Sequence, residues 1–132
     1  MRAISSKNAP DAIGPYSQAV ASGSLLFISG QIAIDPATNQ MIDGDISTQT
    51  DRVLKNIDAV LVAAGTNRQK ILSCTVYLRN LADFAAFNMR YAEFFGKHKP
   101  ARATVEVGNL PKGALIEISA ISELSNTSPL QK

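Results

Sequence analysis

Leu25-Leu26-Phe27-Ile28-Ser29-Gly30-Gln31 is the stretch on which the fold turns. It opens on four apolar residues in a row and closes on a hydroxyl, a bare backbone and an amide. A nearly continuous apolar run of this length reads as a central strand rather than an edge. Upstream, Gly23 separates it from a second extended segment, so residues 17–22 and 24–32 are predicted to pair through a tight connection. Downstream, Asp35-Pro36-Ala37-Thr38-Asn39 is a turn, with proline pre-setting the backbone.

Working outward, Asp45 or Ser47 can cap a helix that runs to about Ala64 and is closed by Gly65. Its apolar stripe is Val53, Ile57, Val60, Leu61 and Ala64, at one-face helical spacing. Residues 71–78 alternate as a strand, with Leu72, Cys74, Val76 and Leu78 expected on one side. A second helix over about 81–98 carries Phe84, Phe87, Tyr91 and Phe94 on its buried face. Two last strands, 103–107 and 115–124, are joined by Gly108-Asn109-Leu110-Pro111-Lys112-Gly113. The predicted order is β-β-β-α-β-α-β-β, an α+β arrangement with two helices on one face of a sheet. The other face is expected to show Arg102, Thr104 and Glu106 beside Glu117 and Ser119, too mixed for a core. That pattern suggests a cover supplied by another subunit.

The 132 residues suit one domain, 1–132, with a polar, mobile tail after Leu124. Apolar residues make up 45% and charged residues 18%, ordinary values for a globular chain. A net charge of +2, with no run of Lys or Arg, argues against a nucleic-acid or membrane partner. No run approaches the ~20 apolar residues that a membrane-spanning helix needs. The single cysteine, Cys74, cannot form an internal disulfide, and the N-terminus lacks the apolar stretch of a signal peptide. A soluble, cytoplasmic protein is the expectation.

Most familiar catalytic routes are closed. His98, the one histidine, lies between two lysines at a predicted helix end and reads as a solvated cation. No His, Cys, Asp and Glu cluster has metal-ligand spacing, and Cys74 reads as a packed core thiol. What remains is a set of polar residues where pattern alone would put apolar ones. Gly14-Pro15-Tyr16-Ser17 is either a turn that delivers a tyrosine or simply the entry to a strand. Ser29-Gly30-Gln31 marks a ligand approach, a bulge or a subunit contact. Arg102 offers a planar fork for a carboxylate, or else an ion pair with Glu106 or Glu117. Glu117, an acid inside Leu115-Ile116-Glu117-Ile118, is a proton handler or a solvent-facing strand residue. Pattern alone stops at a small-anion site.

Taken together and in order, several segments resemble the Rid (YjgF) family from Asn8 to Ile121. They are Ala12-Ile13-Gly14-Pro15-Tyr16-Ser17-Gln18-Ala19, Phe27-Ile28-Ser29-Gly30-Gln31, and Asp83-Phe84-Ala85-Ala86-Phe87-Asn88 with Tyr91 and Phe94-Phe95. The last are Pro100-Ala101-Arg102, Val105-Glu106-Val107 and Leu110-Pro111-Lys112-Gly113 with Glu117-Ile118. The resemblance implies a chorismate-mutase-like subunit in a homotrimer, with sites in the clefts between subunits. It implies hydrolysis of 2-enamino and 2-imino acids (2-aminoacrylate, 2-iminobutanoate) to 2-oxo acids and ammonia, protecting pyridoxal-phosphate enzymes. No cofactor and no metal are expected. Arg102 and Glu117 are the implied catalytic pair; Tyr16, Ser29, Gly30, Asn88 and Thr104 are the implied substrate-binding wall.

Two positions depart from the family's pattern. Thr104 stands where many relatives have cysteine, and Ser119 follows Glu117-Ile118 where an acid is common. The main alternative is a non-catalytic module that binds 2-oxo acids. A nuclease is opposed by the near-neutral charge, and chorismate mutase rests on fold likeness alone.

Overall fold

The computed structural model describes residues 1–124. The tail expected to be mobile lies outside the described residues. In chain order the elements are β1 (Arg2–Ile4), β2 (Ala19–Ser22), β3 (Leu25–Gln31), β4 (Ile34–Asp35), β5 (Gln40–Met41), α1 (Ile46–Ala63), β6 (Ile71–Leu78), α2 (Phe84–Phe95), β7 (Ala101–Glu106) and β8 (Ile116–Glu123). Six strands form one sheet in the order β1-β2-β3-β8-β6-β7, and β4 pairs only with β5. With that small hairpin set aside, the order is the β-β-β-α-β-α-β-β read from the pattern. The strand for which the pattern supplies no bounds is β1. As expected from its apolar run, β3 is internal, with β8 at its side. All pairings in the large sheet are antiparallel except β6 with β7, which are parallel and joined through α2.

Asp45 caps α1: its carboxylate accepts from the Thr48 N–H at 2.9 Å, satisfying one of the orphan donors at the helix start. Gly65, at φ 79°, ends the helix in the left-handed conformation that glycine tolerates. Val53, Ile57, Val60 and Leu61 are buried, while Ala64, in the cap itself, is only partly so. The second helix is shorter than its periodicity predicts. Asn80 caps a 3-10 turn over Leu81–Asp83, α2 begins at Phe84, and Gly96 at φ 61° stops it. Its buried face is Phe87, Tyr91 and Phe95, spaced by one turn, rather than the expected set with Phe84 and Phe94. Phe94 instead lies partly exposed under the Arg68 guanidinium, 3.9 Å from its ring centre.

Two sheet expectations need correction. In β6 the register shifts between Ile71 and Ser73. Leu72 is therefore turned out and exposed, and Ile71 takes its place in the core. The second correction concerns the faces. β7 does not lie beside β8, because β6 runs between them. Arg102, Thr104 and Glu106 stand beside Cys74, Val76 and Leu78 on the helix-covered face. Glu117 and Ser119 stand beside Tyr77 and Thr75 on the opposite face. Ala103 and Val105 alternate with these residues along β7. They point to the open face, where Phe27, Leu72, Val105 and Ile121 are all exposed. A single buried face cannot be inferred from apolarity when both faces of a sheet are apolar.

Candidate functional site

The residues marked by the sequence fall into two groups, one on each side of the sheet. The first is built where β3 leaves the regular ladder. Between Ile28 and Gln31 the pairing with β8 slips, so Ser29 and Gly30 form a bulge. The Glu117 side chain lies across this bulge. A Cβ at Gly30 would sit 2.8 Å from its carboxyl carbon, so any other residue there would push the acid out of this position. Gly30 and Glu117 open into a cleft of about 430 Å³ that is also lined by Tyr16, Asp11, Asn39 and Lys112. Partial burial holds the Glu117 carboxyl above the usual glutamate range, because desolvation disfavours the charged form.

Tyr16 reaches the cleft from the Gly14-Pro15 turn, where Gly14 takes φ 123° and the Tyr16 N–H donates to the Gly14 carbonyl at 2.9 Å. Its ring is about half exposed. Ser29 does not offer its hydroxyl to the cleft: it donates to the Ser17 carbonyl at 2.6 Å and ties β3 to the Tyr16 loop. Gln18, which pattern reading passed over as an ordinary strand residue, does similar work from a buried position. Its amide donates to the Pro10 carbonyl at 2.7 Å and accepts from the Ser6 N–H at 2.6 Å, shaping the loop that walls the cleft. A buried glutamine needs such partners, and its place in the Ala12–Ala19 segment was the signal for it in the sequence.

The second group surrounds Arg102. Its guanidinium donates to Asn88 Oδ1 at 2.7 Å and lies 4.8 Å from the Tyr91 ring centre, 5.5 Å from Phe87 and 5.6 Å from Phe84. No carboxylate pairs with it among the described residues, so the ion pair with Glu106 or Glu117 does not form. Glu106 is engaged elsewhere, accepting from the Leu81 N–H at 2.7 Å. The result is a cation held by an amide and three rings, a polarised fork with its charge uncompensated. It opens into a second cleft of about 420 Å³ lined also by His98, Lys99 and Pro100. Asn88 is thereby an orienting contact for Arg102.

Behind the guanidinium, Cys74 is buried as expected, and burial pushes its thiol up. The Tyr91 phenol beside it is raised as well, mainly by burial. The Tyr91 hydroxyl and Thr104 Oγ1 are both buried and make no hydrogen bond among the described residues. Thr104 is therefore packed into this layer and does not line either cleft. His98 is not free in solvent at the helix end: its Nε2 donates to the Ile71 carbonyl at 2.7 Å, and its ring meets the edge of Phe95. Among the described residues no three His, Cys, Asp or Glu side chains converge as metal ligands, and no helix is long and apolar enough to cross a membrane.

Within one copy of the chain, Glu117 and Arg102 thus occupy different clefts on opposite faces of the sheet. An anion fork and an acid shifted towards its neutral form are both present, but neither alone makes a reaction site.

The chain is similar to known proteins over nearly its whole length. The family model described as endoribonuclease L-PSP matches residues 6–124. A RutC family protein of Pyrococcus horikoshii is 55% identical over 119 residues, covering 90% of this chain and 94% of that one. The human 2-iminobutanoate/2-iminopropanoate deaminase is 42% identical over 121 residues, covering 92% and 88%. A Rid family protein from Yersinia pestis, solved as a protein of unknown function, superposes with a TM-score of 0.92 at 49% identity, covering 93% and 98%. With the sheet order, the bulge at Gly30 and the motif segments all in place, this chain belongs to the Rid (YjgF) family.

Proposed function

We propose that this protein hydrolyses 2-imino and 2-enamino acids, such as 2-iminobutanoate and 2-aminoacrylate, to 2-oxo acids and ammonia. The observation that carries the reading is Arg102. A guanidinium fixed by Asn88 and three aromatic rings, yet left without a carboxylate, is organised to receive one from a ligand. The human relative named as an imine deaminase supports the choice of reaction.

The site is completed by assembly. Arg102 and Glu117 lie on opposite faces of one sheet, so a ligand held by both must bridge two copies. The exposed apolar residues Phe27, Leu72, Val105 and Ile121 supply a face for that contact. A homotrimer, with each cleft between neighbouring subunits, follows from the family resemblance and is the assembly we propose. The protein is placed in the cytoplasm on the same reading.

In this scheme Arg102 of one copy grips the substrate carboxylate and fixes the imine carbon near Glu117 of the next. Water attacks that carbon while the Glu117 carboxylate takes one of its protons, and as the C=N π pair moves to the imine nitrogen that atom takes a proton from solvent, matched by the hydroxyl proton returned to solvent at the end. Glu117 then returns its proton to the nitrogen. The C–N bond breaks with its electron pair on ammonia, and loss of the hydroxyl proton leaves the 2-oxo acid. Substrate plus one water equals product plus ammonia, so no oxidant, metal or cofactor is needed. The imine is itself the electrophile. Tyr16 and the Gly30 backbone line the cleft where this occurs.

RNA cleavage, the activity in the family model's description, is opposed by a net charge of +2 without a basic stripe. The deciding experiment couples a threonine dehydratase, supplied with threonine or serine, to 2-oxo acid detection. Acceleration by this protein that disappears in a still-assembled Arg102→Ala variant supports the proposal. No acceleration, with retained binding of 2-oxobutanoate, would assign a non-catalytic carboxylate-binding role instead.

A further inference from the structure

The amide at the end of β3 has no part in the hydrolysis scheme. Gln31 closes the bulged stretch of that strand, pairs with Ile118 and lines the cleft together with Gly30 and Glu117. It is 6% exposed, and a buried glutamine brings two N–H donors and a carbonyl oxygen that all need partners. The other two buried glutamines have theirs. Gln18 is bonded to the Ser6 and Pro10 backbone, and Gln49 Oε1 accepts from the Leu115 N–H at 2.9 Å. Gln31 makes a single long bond, its Nε2 donating to the Ser29 carbonyl at 3.4 Å.

That bond fixes which way the amide faces. A carbonyl only accepts, so the NH2 end must lie towards Ser29, and Oε1 is left free. This oxygen is not sealed in the core either. The unpartnered side-chain oxygens that are shut off from solvent belong to Thr50, Tyr91 and Thr104. The open space that Gln31 borders is the cleft of Glu117. Two acceptors, an amide oxygen and a carboxylate, therefore face one cleft, which suits a ligand atom that carries protons. In the hydrolysis scheme that atom is the imine nitrogen, which gains a proton as water adds.

We infer that Gln31 Oε1 accepts a hydrogen bond from this protonated nitrogen, so that the cleft distinguishes the imine from the 2-oxo acid it becomes. The inference rests on the reading of this cleft as the site of imine hydrolysis. Substrate and product differ at the atom concerned: the first presents N–H, the second a carbonyl oxygen with lone pairs only. An acceptor that binds the first is left unpaired by the second, which favours turnover over product retention. The amide does not titrate, so it can hold the nitrogen while Glu117 handles the proton.

The test pairs the coupled imine assay with two unreactive ligands, 2-oxobutanoate and 2-hydroxybutanoate. The hydroxy acid carries an O–H where the oxo acid has only lone pairs. By calorimetry, wild type should bind the hydroxy acid about fivefold more tightly, the scale of one hydrogen bond between neutral groups. Gln31→Met keeps the length of the side chain without the acceptor. It should close that gap, hold the 2-oxobutanoate affinity, and lower kcat/KM for 2-iminobutanoate about tenfold or more, since the bond to a charged nitrogen is the stronger. Equal affinities in wild type overturn the inference, whether or not the variant folds. So does a gap that survives in Gln31→Met, or a variant with wild-type kcat/KM. A variant that loses 2-oxobutanoate binding along with turnover has only a structural glutamine, and the inference fails. A wild type that shows the affinity gap but hydrolyses no imine overturns the hydrolase reading itself.

Discussion

Replacing Asn88 by aspartate changes one atom of the side chain, yet it should disarm the anion fork. Asn88 Oδ1 accepts from Arg102 Nη1 at 2.7 Å, so Asn88→Asp places a carboxylate within salt-bridge distance of the guanidinium without moving either residue. The introduced carboxylate then competes with the substrate's for the same charge. A charge-assisted hydrogen bond contributes about 1.5–3 kcal/mol, and solvent at this exposed arginine screens part of it. A net loss of about 1–2 kcal/mol in substrate binding remains, or about a five- to thirtyfold rise in KM. Asn88→Ala, by contrast, only frees the fork, because the rings of Phe84, Phe87 and Tyr91 still hold it from behind. That loss should be the smaller of the two. The assay is the coupled imine hydrolysis with both variants, alongside thermal melts to confirm folding. If Asn88→Asp raises KM no more than Asn88→Ala does, the fork is not the carboxylate anchor and the argument fails.

Four further outcomes follow from the geometry. Since burial raises the Glu117 pKa and the base form does the work, kcat/KM should fall with decreasing pH at a pH above the ordinary glutamate value of 4.5; a limb at or below that value refutes the assignment. The same shift carries a stability sign: a raised acid pKa means that folding strength is lost as pH climbs through the folded-state value, so Glu117→Gln should melt no lower than wild type at pH 8 while losing turnover. Gly30→Ala drives a Cβ into the Glu117 carboxyl group and should cost on the order of a hundredfold in kcat/KM through misplacement, with full activity the refuting result. Phe27→Asp puts a charge on the exposed sheet face and should yield monomers by light scattering with hydrolysis lost. Active monomers would show that one copy suffices.

Much of this fold is legible in the chain because its signals are local. The capping of α1 by Asp45, its stop at Gly65 and the inner placement of β3 all follow from short-range rules of hydrogen bonding and apolar periodicity. The residues Arg102 and Glu117 could likewise be singled out as charges within apolar strands. Where the periodic pattern met a physical interruption, reading along the chain failed. A register slip near Leu72 turned that side chain outward, and Gly96 ended α2 before His98.

The larger failure was of parity. By itself the sequence determined which residues carry charge, which segments extend and which coil, because each of those depends on near neighbours. Only the tertiary structure decided that β6 intervenes between β7 and β8, and with it that Arg102 and Glu117 face opposite ways. The side of a strand is set by its partner's register, and a partner distant in sequence leaves no local trace. Likewise, whether Arg102 is paired with an acid or held free by Asn88 and aromatic rings depends on contacts between β7 and α2, which no spacing along the chain encodes.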